Sequence, residues 1–147
     1  MFKPTIDAAD AALVLFNLPE YRVRDVVRDP AGGREVFIET PVSEAGCPGC
    51  GVLTSRVHQR TQQRVHDVNF DGKVAVWWIK KRWRCNELLC GTVTFTEHTI
   101  QVPPRARLTT RCKERVVAAL SGEVRAVSRV AAELGVAWPT VMRQLKA

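Results

Sequence analysis

The sequence predicts an α+β protein: a β-rich N-terminal module over residues 1–102, then a small all-helical module over residues 103–147. Three observations predict it. Segments 21–28, 34–40, 74–84 and 92–102 are rich in β-branched and aromatic residues and are separated by turn clusters. Two cysteine pairs lie within that β-rich region. After Pro103-Pro104 the composition switches to Ala, Val, Leu and Arg at helical spacing, with no further strand signal.

Each element follows from local residues. Residues 7–18 read as a short helix capped by Asp7 or Asp10, with Leu13 and Phe16 on its apolar stripe and Pro19 ending it. The segments 21–28 and 34–40 flank Asp29-Pro30-Ala31-Gly32-Gly33 and predict a β-hairpin. Residues 52–66 form a mostly polar stretch without helical periodicity. Asp71-Gly72 marks a turn, and 74–84 and 92–102 read as strands. Alternation places Trp77, Ile79 and Trp83 on one strand face, expected in the core, with Trp78 opposite beside Lys80 and Arg82.

Three helices complete the chain. Residues 110–120 put Cys112, Val116 and Leu120 on one face, with Gly122 as a stop. Residues 124–134 align Val124, Val127, Val130 and Leu134 before Gly135. Residues 138–146 form the third, with Pro139 near its first position.

Composition bounds the function. The net charge is +7, and 16 of the 22 basic residues are Arg, whose planar fork suits phosphate oxygens and guanine edges. The excess is localised: residues 51–115 carry 13 basic and 5 acidic side chains, and the remainder is nearly balanced. Such segregation suggests either a polyanion partner or merely a solvated basic face. No apolar run is long enough to span a membrane, and the N-terminus lacks a secretory signal. Five cysteines without an export signal indicate reduced thiols or a metal site rather than a disulfide framework.

The cysteines carry the sharpest signal. Cys47 and Cys50 form a CxxC, Cys85 and Cys90 a second pair, and 34 residues separate them. Two such knuckles supply four thiolates for one structural zinc ion. The gap is longer than usual, and the hairpin around Asp71-Gly72 accounts for it. A redox CxxC lacks the strand–helix context it needs. Unligated buried cysteines, or a catalytic zinc using His58, His66 or His98, remain as alternatives. Cys112 shares the apolar helix face and reads as core.

Residues 127–145 have a helix-turn-helix pattern. Ala131 is small where two helices cross, Gly135 sits at the turn, and Val130, Leu134, Val136, Val141 and Leu145 are apolar around it. An ordinary helical hairpin is the plain alternative. In the helix-turn-helix reading, Trp138, Thr140, Arg143 and Gln144 face a DNA groove. Arg56, Arg60, Arg64, Lys80, Lys81, Arg82 and Arg84, with Arg105 and Arg107 of the linker, are the candidate contacts elsewhere on double-stranded DNA.

The order of these features resembles the N-terminal part of bacterial insertion-sequence transposases of the L-three family. The resemblance rests on CPGCG at 47–51, KKRWRCNELLC at 80–90, TVTFTE at 92–97, LTTRCKERVVAAL at 108–120 and the helix-turn-helix at 127–145. It implies a zinc ribbon and a helix-turn-helix that recognise the terminal inverted repeats of a transposon. In that family a nuclease domain with an acidic triad follows. This sequence ends at Ala147 and offers no such triad, so no catalytic residues are carried over and no enzymatic activity is expected. The implied location is the cytoplasm, at the nucleoid, with a second copy or a full-length transposase as protein partner. A stand-alone transcriptional regulator, a small zinc enzyme and a protein-binding ribbon are the competing readings.

Overall fold

The run Val74–Arg84 forms an 11-residue strand on which the β-rich half is built. The computed structural model describes residues 12–13, 15–69, 72–122 and 126–146. Its strands are β1 (Arg22–Arg28), β2 (Arg34–Glu39), β3 (Ala45–Gly46), β4 (Leu53–Thr54), β5 (Val57–Val65), β6 (Val74–Arg84) and β7 (Thr94–Thr96). Its helices are α1 (Thr110–Ser121), α2 (Val127–Leu134) and α3 (Trp138–Leu145). The sheet order is β1-β2-β6-β5, with β7 also paired to β6 and β3–β4 forming a separate two-stranded hairpin. This is the mixed α+β architecture that the sequence predicts.

The expected β1–β2 hairpin is present, and it joins the same sheet as the cysteine-bearing strands because β2 runs parallel to β6 from Arg34↔Val74 to Ile38↔Trp78. The polar stretch after the first cysteine pair forms β5, a strand the sequence did not announce. It pairs antiparallel with β6 from Val57↔Trp83 to Val65↔Val76. As an edge strand with only Val65 buried, it has no apolar alternation to read.

The strand expected over 92–102 is only Thr94–Thr96. Extending it would carry it to the edge of β6 that β2 already occupies at Trp78. Beyond it, the Thr99 hydroxyl accepts the Val102 N–H at 2.9 Å, a local turn that replaces the ladder.

The tryptophan expectation needs correction. Trp78 and Trp83 are fully buried, and Trp77 is half-buried, donating its indole N–H to Glu35. The buried side of β6 changes from even to odd positions between Trp78 and Lys81, because its two ends are covered from opposite sides. At the near end Tyr21 meets Trp78 edge-on at 5.4 Å, within a core that includes Phe16, Leu18, Ile38, Val65 and Val102. At the far end the segment 40–42 covers Lys81, whose ammonium donates to the carbonyls of Thr40 (2.7 Å) and Val42 (2.9 Å).

The helices pack around a second cluster, with Leu108, Cys112, Val116, Ala119, Val130, Ala131 and Val141 buried. Ala119 takes the buried place expected of Leu120, which sits at the margin. Thr109 caps α1 by accepting the Cys112 N–H. The expected α2 start at Val124 lies outside the described residues. So do residues 7–11 and 14 of the expected helix at 7–18, of which 12–13 and 15–16 are helical. No helix among the described residues is long and apolar enough to cross a membrane.

Candidate metal centre and nucleic-acid interface

The two cysteine pairs meet although 34 residues separate them in sequence. The first knuckle is the turn of the β3–β4 hairpin, and the second lies between β6 and β7. Pairing of β5 with β6 folds the intervening chain back and brings the knuckles face to face. Cys47 Sγ lies 3.9 Å from Cys90 Sγ, and Cys50 Sγ lies 3.6 Å from Cys85 Sγ. All four sulfurs fall within 4.8 Å of one another. A tetrahedron with metal–sulfur bonds of about 2.3 Å has sulfur–sulfur edges of about 3.8 Å. The four thiols therefore fit one structural zinc ion, and four protein ligands leave no open position for catalysis at the metal.

The knuckle backbone supports the sulfurs. The Gly49 N–H points at Cys47 Sγ and the Glu87 N–H at Cys85 Sγ, both at 3.4 Å. Burial opposes ionisation of Cys47, but the Gly49 and Cys50 N–H groups and the neighbouring thiols bring its pKa down to about 7. Gly49 is required by space: a Cβ there would stand 2.5 Å from Thr92 Oγ1 and 3.2 Å from Cys90 Sγ.

The basic residues singled out by sequence separate into distinct groups. Lys80, Arg82 and Arg84 alternate along one face of β6, with Arg82 and Arg84 exposed. Lys80 Nζ sits 4.6 Å over the Trp78 ring and donates to Gln63, so its aliphatic stem is pinned on the sheet. Arg60 pairs opposite Lys81 and Arg64 opposite Trp77, so both belong to the other face. Arg64 stacks at 5.7 Å from the Trp77 ring. Arg56 is exposed just ahead of β5. Lys81 is corrected: its ammonium is buried on backbone carbonyls and is withheld from any phosphate.

The helical residues gather elsewhere. A groove of about 680 Å³ is lined by Arg105 and Arg107 from the linker, Lys113 from α1, and Thr140, Arg143 and Gln144 from α3. Trp138, at the start of α3, is exposed and lies outside this groove. Gly135 closes α2 with φ +66°, a left-handed turn, and Ala131 of α2 and Val141 of α3 are buried in the same cluster. Burial, with the charges of Arg64 and Arg107, lowers the pKa of His66 below its ordinary value.

Sequence reasoning missed the joint between the two halves. Asp67, at the end of β5, is buried and accepts from Arg111 Nε (2.8 Å), from Arg111 Nη2 and from Thr109 Oγ1 (2.6 Å). Arg111 Nη1 also donates to the carbonyls of Phe16 and Asn17. Beside it, Leu108 forms a parallel bridge with His66. Nothing in the local pattern signals this cluster, because its members lie about one hundred positions apart at the extremes.

Two family models match the chain. The zinc-finger of transposase IS204/IS1001/IS1096/IS1165 matches residues 43–90, which contain all four clustered cysteines. The helix-turn-helix domain of transposase family ISL3 matches residues 97–147, from the linker through α3. No curated protein and no solved structure matches.

Proposed function

As the chain belongs to the ISL3 transposase family through its zinc-ribbon and helix-turn-helix domains, we propose that it recognises the terminal inverted repeats of its transposon. The observation that supports this reading is the open outer side of α3, with Thr140, Arg143 and Gln144 on one groove beside basic side chains. These residue types read base edges or phosphates. The ribbon face bearing Lys80, Arg82 and Arg84 adds backbone contacts along the same duplex. The role is binding, and no strand-transfer chemistry is assigned to these residues. Because a transposon has two ends, a second copy or a full-length transposase is the protein partner this reading carries.

The test is binding of the zinc-loaded chain to left-end, right-end and scrambled duplexes at physiological salt. Preference of about a thousandfold or more for the ends is expected, and equal affinity for the scrambled duplex rejects the proposal. Replacing Lys80, Arg82 and Arg84 by Ala should lower the slope of log affinity against log salt by about 2–3, at about 0.9 per lost phosphate contact. An unchanged slope removes that face from the interface.

A further inference from the structure

The linker ahead of α1 has a conformation that linking the two halves does not require. Ala106 donates its N–H to the Pro103 carbonyl at 3.0 Å, closing a turn with Pro104 and Arg105 at its corners. Arg105 has φ +67°. Proline at the first corner and positive φ at the second describe a type II turn, where glycine or asparagine is the unstrained choice. An arginine held there is strained, because its Cβ crowds the backbone at positive φ. The segment is nonetheless fixed. Gln63 Nε2 donates to the Ala106 carbonyl at 3.1 Å, and the His66 N–H donates to the Arg107 carbonyl at 2.8 Å. Ala106 packs against the sheet core, and Arg105 and Arg107 on either side of it are exposed.

These two arginines line the same groove as Lys113 of α1 and Thr140, Arg143 and Gln144 of α3. A groove with cations on both walls suits the sugar–phosphate strand that separates the major from the minor groove of a duplex. With α3 in the major groove, the opposite wall stands at the adjacent minor groove. Arginine is attracted into a narrow, A·T-rich minor groove by its enhanced negative potential, and the guanine 2-amino group opposes entry. Short basic arms ahead of helical DNA-binding domains read DNA in this way.

We infer that Arg105 and Arg107 form a pre-ordered minor-groove reader for A·T pairs flanking the bases contacted by α3. This rests on the proposed placement of α3 on DNA. It assigns the linker a part in specificity and makes it more than another phosphate contact.

The experiment uses the zinc-loaded chain and the tightest-binding duplex recovered from a random pool. Each A·T pair of that duplex is replaced in turn by G·C and by inosine·C, which keeps an A·T-like minor groove but presents a G·C-like major groove. At the flanking pairs, G·C should weaken binding about tenfold, and inosine·C should restore it to within about twofold. In Arg105→Gly and in the Arg105→Lys/Arg107→Lys double variant the G·C penalty at those pairs should fall below about threefold. Arg105→Gly should leave Tm unchanged or raise it, because glycine relieves the strained φ. This separates lost recognition from lost folding.

The inference is overturned if inosine·C is as harmful as G·C, if the penalty survives in the variants, or if the variants lose affinity equally on every duplex with a shallower salt slope, the signature of phosphate contact alone. In each of those cases α3 recognition stands. Failure to recover any preferred duplex removes the proposed function and this inference together.

Discussion

The zinc end of the sheet and the helical bundle hold their chain by different means. The bundle buries Cys112, Val116, Ala119, Val130, Ala131 and Val141 against one another. The knuckles bury little besides Cys47, Cys85 and Thr54, and expose Leu53, Leu88 and Leu89. The bundle is therefore stabilised by apolar burial, the ordinary driving force. The knuckles have too little apolar surface to use it, and four thiolates on one ion take its place. Metal dependence should accordingly be confined to one end of the molecule.

The largest expected effect breaks that comparison directly. Chelation of zinc, or Cys85→Ser, should release residues 45–54 and 85–96, consistent with the ~10 kcal/mol scale of structural zinc. The helical circular-dichroism signal of α1–α3 should persist. Amide exchange resolved by residue would show whether the loss is local, and melting of the helices with the metal would dissolve the distinction.

Next comes the joint. Arg111→Ala leaves the Asp67 carboxylate buried without its charge partner, and a cost of about 3–5 kcal/mol is expected in urea unfolding. Zinc content should not change. Gly49→Ala has a smaller effect, about 1–3 kcal/mol from forced contact with Thr92 and Cys90. It should appear as weaker zinc affinity with the bundle intact. Gly135→Ala does the reverse, costing about 1–2 kcal/mol at a left-handed turn and leaving zinc affinity alone.

The smallest effect at neutral pH concerns Cys112. Burial, aided by Asp67, pushes its thiol up to about 12. It stays protonated and unreactive toward thiol reagents at pH 8, whereas the unfolded thiol ionises near about 8.5. The folded pKa is the higher one, so this contribution to stability is complete below about pH 8.5 and is lost as pH rises toward 12. Rapid labelling of Cys112 in the native, zinc-loaded chain would contradict its placement.

The comparison also explains what could be read from the sequence. Cysteine spacing is a local code, so Cys47, Cys50, Cys85 and Cys90 stand out without knowledge of the fold. Helical periodicity around Val116, Val130 and Val141 is equally local. Strand β5 escaped because an edge strand needs no apolar face. A single phase of alternation along β6 puts Trp78 on the outer side, whereas the strand's two ends are covered from opposite sides. Lys81 resembles its basic neighbours in the run, but it lies on the opposite face of β6, where the segment 40–42 buries its ammonium. The Asp67–Arg111 joint depends on contacts between three distant segments and has no local signature.

Under the proposed function, the helical half specifies the DNA sequence and the metal-held half adds backbone contacts. Selection of duplexes from a random pool, with zinc and after its removal, tests this division most directly. The account predicts the same consensus in both selections, with lower affinity and a shallower salt slope in the absence of zinc. Loss of the consensus while the helices remain folded would contradict it, because the ribbon would then be reading the sequence.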